Sequence, residues 1–341
     1  MNLHAEIIDL ASEGYFYPSG SQYASGKLNI FPITGQHEEL LCNNNLAKRG
    51  ILETSFLDAV VEGGINTNEL LYCDKQAILL NLRIANYGAY TKMKAQCSEC
   101  DSEYEHDISF AFRGKMFDFS IYERGNNCLS YTFQKCKKNV YFKLPTCNEH
   151  DIYIKHGWLA FAKAINLRID DVEDINNFYE YELSATDSKL FRKFYEEHTP
   201  GYINEIAVSC PSCNVVRNSK MDINTDIFAI RPESKMNIHS EIFDLCYYSN
   251  GAFTQEGVYK MPTMLRAFYI ICSCWGCGLN SKMGKTHFSP RHAHILFLFL
   301  SSGPLILSPE TVYIFPPVVH VYFPPGDLPA RREPIHRFDR R

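Results

Sequence analysis

The chain has 341 residues, of which 45% are hydrophobic and 13% aromatic, a composition typical of globular rather than disordered proteins. Its formal charge is −5 at pH 7, which gives no sign of the basic surface that binding to nucleic acid or to an anionic membrane requires. The most apolar stretch, residues 295–300, is far shorter than the roughly 20 residues of a membrane span, so we predict no transmembrane segment.

The amino terminus shows no secretory signal, because residues 1–6 lack a basic start followed by an apolar core. Thirteen cysteines without such a signal indicate a reducing compartment, where thiols bind metal or stay free. An odd number of cysteines also excludes complete disulfide pairing within one chain.

Residues 1–35 are predicted to form a strand-rich segment, because short apolar runs alternate with turn residues such as Gly20 and Gly26. Leu28 and Ile30 are two positions apart and should therefore lie on one face of a strand.

Residues 36–90 are predicted to be helical. In the clearest helix, Asp74 is the expected N-cap, and Ile78, Leu82 and Ala85 recur at helical spacing. Further apolar residues widen this stripe until the helix is nearly apolar all round, which predicts a buried helix.

Two Cys-x-x-Cys pairs lie far apart in the sequence: Cys97 and Cys100, then Cys210 and Cys213. Two thiolates on one tight turn form half of a tetrahedral zinc site, and a second such turn completes it. We therefore predict that these four cysteines bind one structural Zn²⁺. Because four thiolates close the coordination sphere, the motif indicates a scaffold and not an enzyme.

This metal site would divide the chain into two ribbon halves separated by an insertion. Residues 91–109 and 202–225 would form the halves of a split zinc ribbon, and residues 110–201 would be an inserted αβ region. Within the insertion, residues 140–144 read as a strand, and Asp187 is the expected N-cap of a helix.

Two other interpretations of the cysteines stay open, a redox pair and incidental free thiols. A redox Cys-x-x-Cys places its first thiol at a helix N-terminus, where the dipole lowers the thiol pKa. Both pairs here run instead into polar, strand-like sequence.

Residues 226–271 are predicted to form a C-terminal pair of helices, after which the composition changes. Nine of the sixteen prolines fall at or after Pro290. We interpret residues 272–341 as an atypical tail, either frameshifted, read-through or fused sequence, or a disordered segment.

The tail also contains a weaker candidate metal cluster, and its alternative is chance clustering in an unusual composition. The residues concerned are Cys272, Cys274, Cys277, His287, His292 and His294. Two acidic groups, Glu38 with Glu39 and residues 170–174, are interpreted as solvated faces, since no nucleophile or phosphate loop accompanies them.

Several blocks carry a specific order of motifs: GYFYPSG at 14–20, ITGQHEELL at 33–41, LLYCDKQAI at 70–78, RIANYG at 83–88 and YYSNGAF at 247–253. In this order, with a Cys-x-x-Cys directly after the helix and another after a long insert, they resemble the T4-like bacteriophage baseplate hub protein family. The likeness covers roughly residues 10–270. It departs from the family in two places. The chain continues beyond the final helix, and the stretch directly after the second cysteine turn, residues 214–230, has only one aromatic residue, Phe228.

The resemblance implies a structural or assembly component of a contractile-tail baseplate hub, expressed late in infection. Its partners would be other hub and tail proteins, without a small-molecule substrate, and it would reside in the virion tail baseplate or in the host cytoplasm during assembly. The metal role carries over to the four cysteines of the two pairs.

The alternative function is a nucleic-acid-binding zinc ribbon, and a third is a thiol oxidoreductase. Acidic residues around the first cysteine turn would repel phosphate: Glu99, Asp101, Glu103, Glu105 and Asp107. The expected fold is thus α+β, with an N-terminal strand and helix region, a split four-cysteine zinc ribbon carrying a large αβ insertion, and a C-terminal helix pair.

Overall fold

A computed structural model describes residues 4–249 and 251–278. Its helices are α1 Gly35–Leu41, α2 Asn44–Lys48, α3 Leu52–Val60, α4 Tyr72–Tyr87, α5 Cys147–Ile165, α6 Ile175–Asn177, α7 Ala185–Glu197, α8 Ser234–Tyr248, α9 Gln255–Tyr259 and α10 Thr263–Gly278. Its strands are β1 Glu6–Asp9, β2 Lys27–Ile30, β3 Tyr90–Gln96, β4 Glu103–Ser109, β5 Arg113–Gly114, β6 Leu129–Thr132, β7 Asn139–Phe142, β8 Asn166–Ile169, β9 Tyr202–Ile203, β10 Glu205–Ser209 and β11 Val216–Lys220. The mixture of helices and antiparallel strands confirms the α+β prediction.

Most of the predicted tail, including His287, His292 and His294, lies outside the described residues, as do the side chains of Cys272, Cys274 and Cys277. Helix α10 nevertheless continues to Gly278, beyond the expected end of the C-terminal helices at residue 271. Within the part of the chain that the structure describes, no helix combines the length and hydrophobicity that crossing a membrane requires.

The first hairpin pairs β1 with β2 in antiparallel register, with Ile8 opposite Leu28. Leu28 and Ile30 are both buried, as their alternation predicts. The long loop between the two strands packs onto the start of α4, where a buried polar network fixes it.

Asp74 is the centre of that network and is not the N-cap of α4. The helix begins at Tyr72 after the N-cap residue Leu71, so Asp74 lies in its first turn and is fully buried. Its carboxylate accepts hydrogen bonds from the Ser12 backbone N–H (2.8 Å), the Ser12 hydroxyl (2.7 Å) and the Tyr17 hydroxyl (2.7 Å). Burial raises the pKa of Asp74, and the hydrogen bonds from Ser12 and Tyr17 oppose this shift.

Tyr17 should be a sensitive position, because its hydroxyl donates to Asp74 and accepts from the Leu71 backbone N–H (2.8 Å). Tyr17→Phe leaves both groups without this partner, and we expect the free energy of unfolding to fall by about 2–3 kcal/mol. Tyr90→Phe is the matched control, since Tyr90 is 63% exposed, and should cost no more than about 0.5 kcal/mol. Equal denaturant midpoints for the two variants would contradict the assigned role of Tyr17.

Helix α4 is less completely buried than its apolar sequence predicts. Ile78 and Leu82 are fully buried, but Ala85 in the last turn is exposed. Polar side chains are buried there instead. Arg83 donates from Nε to the Ile227 carbonyl oxygen at 2.9 Å, which ties the helix to the segment after the second cysteine pair.

The predicted insertion contains an antiparallel sheet in the order β6-β7-β8, together with α5, α6 and α7. Its core is aromatic, and each of these rings is at most 2% exposed: Phe133, Phe142, Phe161, Phe178 and Phe191. The insertion is also attached to the rest of the chain, because the ring of Tyr72 on α4 stacks on His150 of α5 with 3.4 Å between centroids. Both regions belong to the compact unit that ends at Arg266.

Asp187 is not the N-cap of α7. Ser184 is the N-cap, and its hydroxyl oxygen accepts from the Asp187 backbone N–H at 3.1 Å. The Asp187 carboxylate is buried and accepts from the Lys135 backbone N–H at 3.0 Å. Asp187 therefore occupies the third helical position, where a carboxylate is favourable near the helix N-terminus.

The interpretation of Glu38 as part of a solvated face is wrong, because Glu38 is buried. Its side chain is 2% exposed and forms an ion pair with Arg266 of α10, while its other carboxylate oxygen accepts from the Tyr87 hydroxyl at 2.9 Å. Glu241 of α8 contributes a second carboxylate, 3.3 Å from Arg266 Nε. Through Glu38, helix α1 is thereby bound to α4 and to Arg266 of α10, and it also packs against α3 and α8.

Candidate metal centre

The two cysteine pairs occupy the turns of two antiparallel hairpins. The first hairpin joins β3 to β4, with Gln96 opposite Glu103 at the turn end. The second joins β10 to β11, with Ser209 opposite Val216. A strand thus leads into and out of each Cys-x-x-Cys, as the sequence pattern predicts.

The first turn is closed by two backbone hydrogen bonds. Cys97 N–H donates to the Ser102 carbonyl oxygen at 3.0 Å, and Asp101 N–H donates to the Cys97 carbonyl oxygen at 2.9 Å. Asp101 has φ = 53°, a left-handed conformation that aspartate and asparagine adopt more readily than most residues. This sharp reversal turns both cysteine side chains toward the same side of the hairpin end.

The second turn repeats this geometry. Cys210 N–H donates to the Val215 carbonyl oxygen at 3.0 Å, and Asn214 N–H donates to the Cys210 carbonyl oxygen at 2.8 Å. Asn214 has φ = 57°, so the left-handed residue again directly follows the second cysteine. Two segments that are distant in sequence therefore build equivalent turns.

The turns face each other and bring the four sulfur atoms together, all within 4.8 Å of one another. Cys97 Sγ lies 3.6 Å from Cys213 Sγ, and Cys100 Sγ lies 3.7 Å from Cys210 Sγ. A tetrahedral site with zinc–sulfur bonds of about 2.3 Å requires sulfur atoms about 3.8 Å apart. The geometry and the four-thiol donor set are therefore compatible with a metal ion at the centre.

The first cysteine of each pair is the shielded one. Cys97 and Cys210 are 5% and 2% exposed, whereas Cys100 is exposed and Cys213 is half-buried. Each hairpin thus contributes one buried cysteine and one cysteine nearer the surface. The Glu99 backbone N–H lies 3.5 Å from Cys97 Sγ, so the covered sulfur also has a donor within its own turn.

The pKa values of Cys100 and Cys210 are lowered, whereas that of Cys213 is raised. The Ser102 hydroxyl is the main cause that lowers the pKa of Cys210, to about 6, and it also lowers the pKa of Cys100. The Val215 backbone N–H lowers the pKa of Cys213, but desolvation and hydrogen bonds with the other thiols raise it overall to about 12. The Ser102 hydroxyl therefore favours the thiolate form of Cys100 and Cys210, the form that binds metal.

Contacts outside the sulfurs also join the hairpins. Arg217 on β11 forms an ion pair with Glu99 of the first cysteine turn, and β4 packs against β10. Both charged side chains are more than half exposed, so the ion pair is worth no more than about 1 kcal/mol. The sulfur cluster is the stronger candidate for holding the two turns together.

Sequence reasoning identified the four cysteines but missed Ser102 and the contact between Glu99 and Arg217. A serine two residues after Cys100 is a visible signal, but its meaning depends on the orientation of the other hairpin. Among the described residues, no other group of three or more histidine, cysteine or acidic side chains is arranged to hold a metal. Comparisons with known protein families, curated proteins and solved structures found no match.

Proposed function

We propose that this chain is a structural or assembly component of a contractile-tail bacteriophage baseplate hub, with a scaffold clamped by one Zn²⁺. The resemblance of its sequence blocks supports the baseplate role. The single observation that carries the clamp is the convergence of Cys97, Cys100, Cys210 and Cys213 within 4.8 Å. These residues come from opposite sides of the 110–201 insertion.

The donor set favours a structural role for the metal. Four thiolates complete a tetrahedral sphere and leave no open position for water or substrate. Tetrahedral sulfur sites hold zinc or iron, and we propose zinc because closed four-cysteine zinc sites are common structural elements. When bound, the ion supplies no reaction step and cross-links the two hairpins.

The insertion is attached at the ends of β4 and β10 that lie away from the cysteine turns, because β4 runs from the first turn to Ser109 and β10 runs from Glu205 to the second turn. Strands β5 and β9 pair there, with Arg113 opposite Ile203 and Gly114 opposite Tyr202. Lys115 N–H extends the pairing by donating to the Gly201 carbonyl oxygen at 2.8 Å. The metal would thus hold the two hairpin turns together, while the pairing of β5 with β9 joins the same two segments at the base of the insertion.

The charge on β4 argues against the nucleic-acid alternative. Glu103, Glu105 and Asp107 alternate along the strand and are exposed, so they lie on one solvent-facing side. Lys92 on β3 partly offsets them, with its Nζ 4.0 Å from Glu105. We expect no salt-dependent shift of DNA in the presence of the protein, and such a shift would favour the alternative.

Assembly with partner proteins tests the baseplate role. We expect the purified chain to co-migrate with other contractile-tail baseplate hub proteins in size-exclusion chromatography, and Cys210→Ser to reduce this co-migration. Cys128→Ser is the matched control, because Cys128 lies outside the sulfur cluster. A metal-loaded chain that co-migrates with none of these proteins would contradict the baseplate role and leave the clamp intact.

A further inference from the structure

The two cysteine turns differ in one chemically important position. Ser102 and Val215 each follow the second cysteine of their pair by two residues, and each offers its carbonyl oxygen to the first cysteine of that pair. Valine has no polar side-chain group, whereas the Ser102 hydroxyl lies directly against the sulfur cluster. The backbone is therefore equivalent in the two turns, but the hydrogen-bonding capacity is not.

The Ser102 hydroxyl contacts a sulfur from each hairpin. Its Oγ lies 3.1 Å from Cys100 Sγ and 3.3 Å from Cys210 Sγ. The backbone donor to Cys97, the Glu99 N–H, belongs to the same turn as the sulfur that it serves. Ser102 differs because it also reaches a sulfur of the opposite hairpin.

A hydroxyl at this position can stabilise the negative charge of the thiolates. Four thiolates around Zn²⁺ carry a net charge of −2, which hydrogen-bond donors disperse. Groups in the outer shell of a metal site orient the ligands, and their loss commonly reduces metal affinity 10–100-fold. Ser102 is half-buried, so its hydroxyl is partly shielded from competing water.

We propose that Ser102 is a positioning residue of the metal site, whose hydroxyl donates to the thiolates of Cys100 and Cys210 and thereby raises zinc affinity. This inference rests on the proposed zinc clamp. Since the hydroxyl has one hydrogen, its donation is shared between the two sulfurs or alternates between them. The residue acts through the ligands and does not itself bind the ion.

The test compares Ser102→Ala and Ser102→Thr with the control Ser212→Ala. Ser212 is an exposed serine inside the second Cys-x-x-Cys, and threonine keeps the hydroxyl that alanine lacks. Zinc affinity is measured by competition with a chromogenic chelator. The absorption spectrum of the Co²⁺-substituted protein is recorded in parallel, because its sulfur-to-cobalt charge-transfer band reports the electron density on the thiolates.

We expect Ser102→Ala to weaken zinc binding about tenfold and to shift the charge-transfer band to lower energy. Ser102→Thr and Ser212→Ala should bind zinc and cobalt as the unaltered protein does. Unchanged affinity and spectrum in Ser102→Ala, or an equal loss in Ser212→Ala, would overturn the role of Ser102 alone. Failure of the unaltered protein to bind either metal would overturn the clamp and, with it, this inference.

Discussion

Cys210→Ser should abolish stoichiometric zinc binding and lower the thermal unfolding midpoint by about 10 °C or more. The change leaves three thiolates and removes the shielded sulfur that lies 3.7 Å from Cys100. Metal binding by small structural zinc sites is worth about 10–16 kcal/mol. Because the ligands come from both ends of the insertion, losing the ion would release the two hairpins from each other.

Differential scanning calorimetry with and without a chelator measures this effect. The chelator should lower the midpoint of the unaltered protein to near that of Cys210→Ser, and should barely affect the variant. Cys128→Ser controls for the loss of a thiol, since Cys128 lies outside the cluster. A Cys210→Ser protein that is soluble, assembles normally and melts at the unaltered temperature would count strongly against the clamp.

Arg266→Ala should be the most damaging change outside the cysteine cluster. Arg266 is 2% exposed and forms ion pairs with two carboxylates, Glu38 and Glu241, and Glu38 is equally buried. Burial lowers the pKa of Arg266, but the attraction of the two carboxylates outweighs it and raises the pKa overall. Removing the guanidinium leaves Glu38 as a buried charge without its cation, which typically costs about 3–5 kcal/mol.

The matched control is Arg217→Ala, which removes an arginine from the exposed pair with Glu99. Its side chain is 53% exposed, so we expect a loss of no more than about 1 kcal/mol. The double variant Glu38→Leu with Arg266→Met should recover much of the loss, because it removes the fully buried Glu38 charge, and the remaining carboxylate that contacts Arg266, Glu241, is 15% exposed. Equal unfolding free energies for Arg266→Ala and Arg217→Ala would refute the buried ion pair.

The cysteine cluster was predictable from sequence because its signal is local. Each Cys-x-x-Cys lies between strand-like runs, and this pattern specifies a hairpin turn without knowledge of the rest of the fold. Each of the two equivalent turns supplies two thiols, and together they provide the four ligands of one site. The sulfur positions of Cys97 and Cys213, 116 residues apart, follow from this complementarity.

The buried charges were not predictable in the same way. Glu38 is paired with Arg266, which is 228 residues away, and Asp74 with Ser12, which is 62 residues away. Sequence patterns assign acidic residues to solvent or to helix caps because most carboxylates lie there. The partners that make burial tolerable are brought together only when segments distant in sequence pack against each other.

The metal content of the purified, reduced protein tests the central claim most directly. Elemental mass spectrometry should find one zinc per chain in the unaltered protein, and none in either Cys97→Ser or Cys210→Ser. Iron in the same stoichiometry would retain the clamp and change the identity of its ion. The absence of any metal from the unaltered protein, or retention of zinc in both variants, would contradict the split metal site.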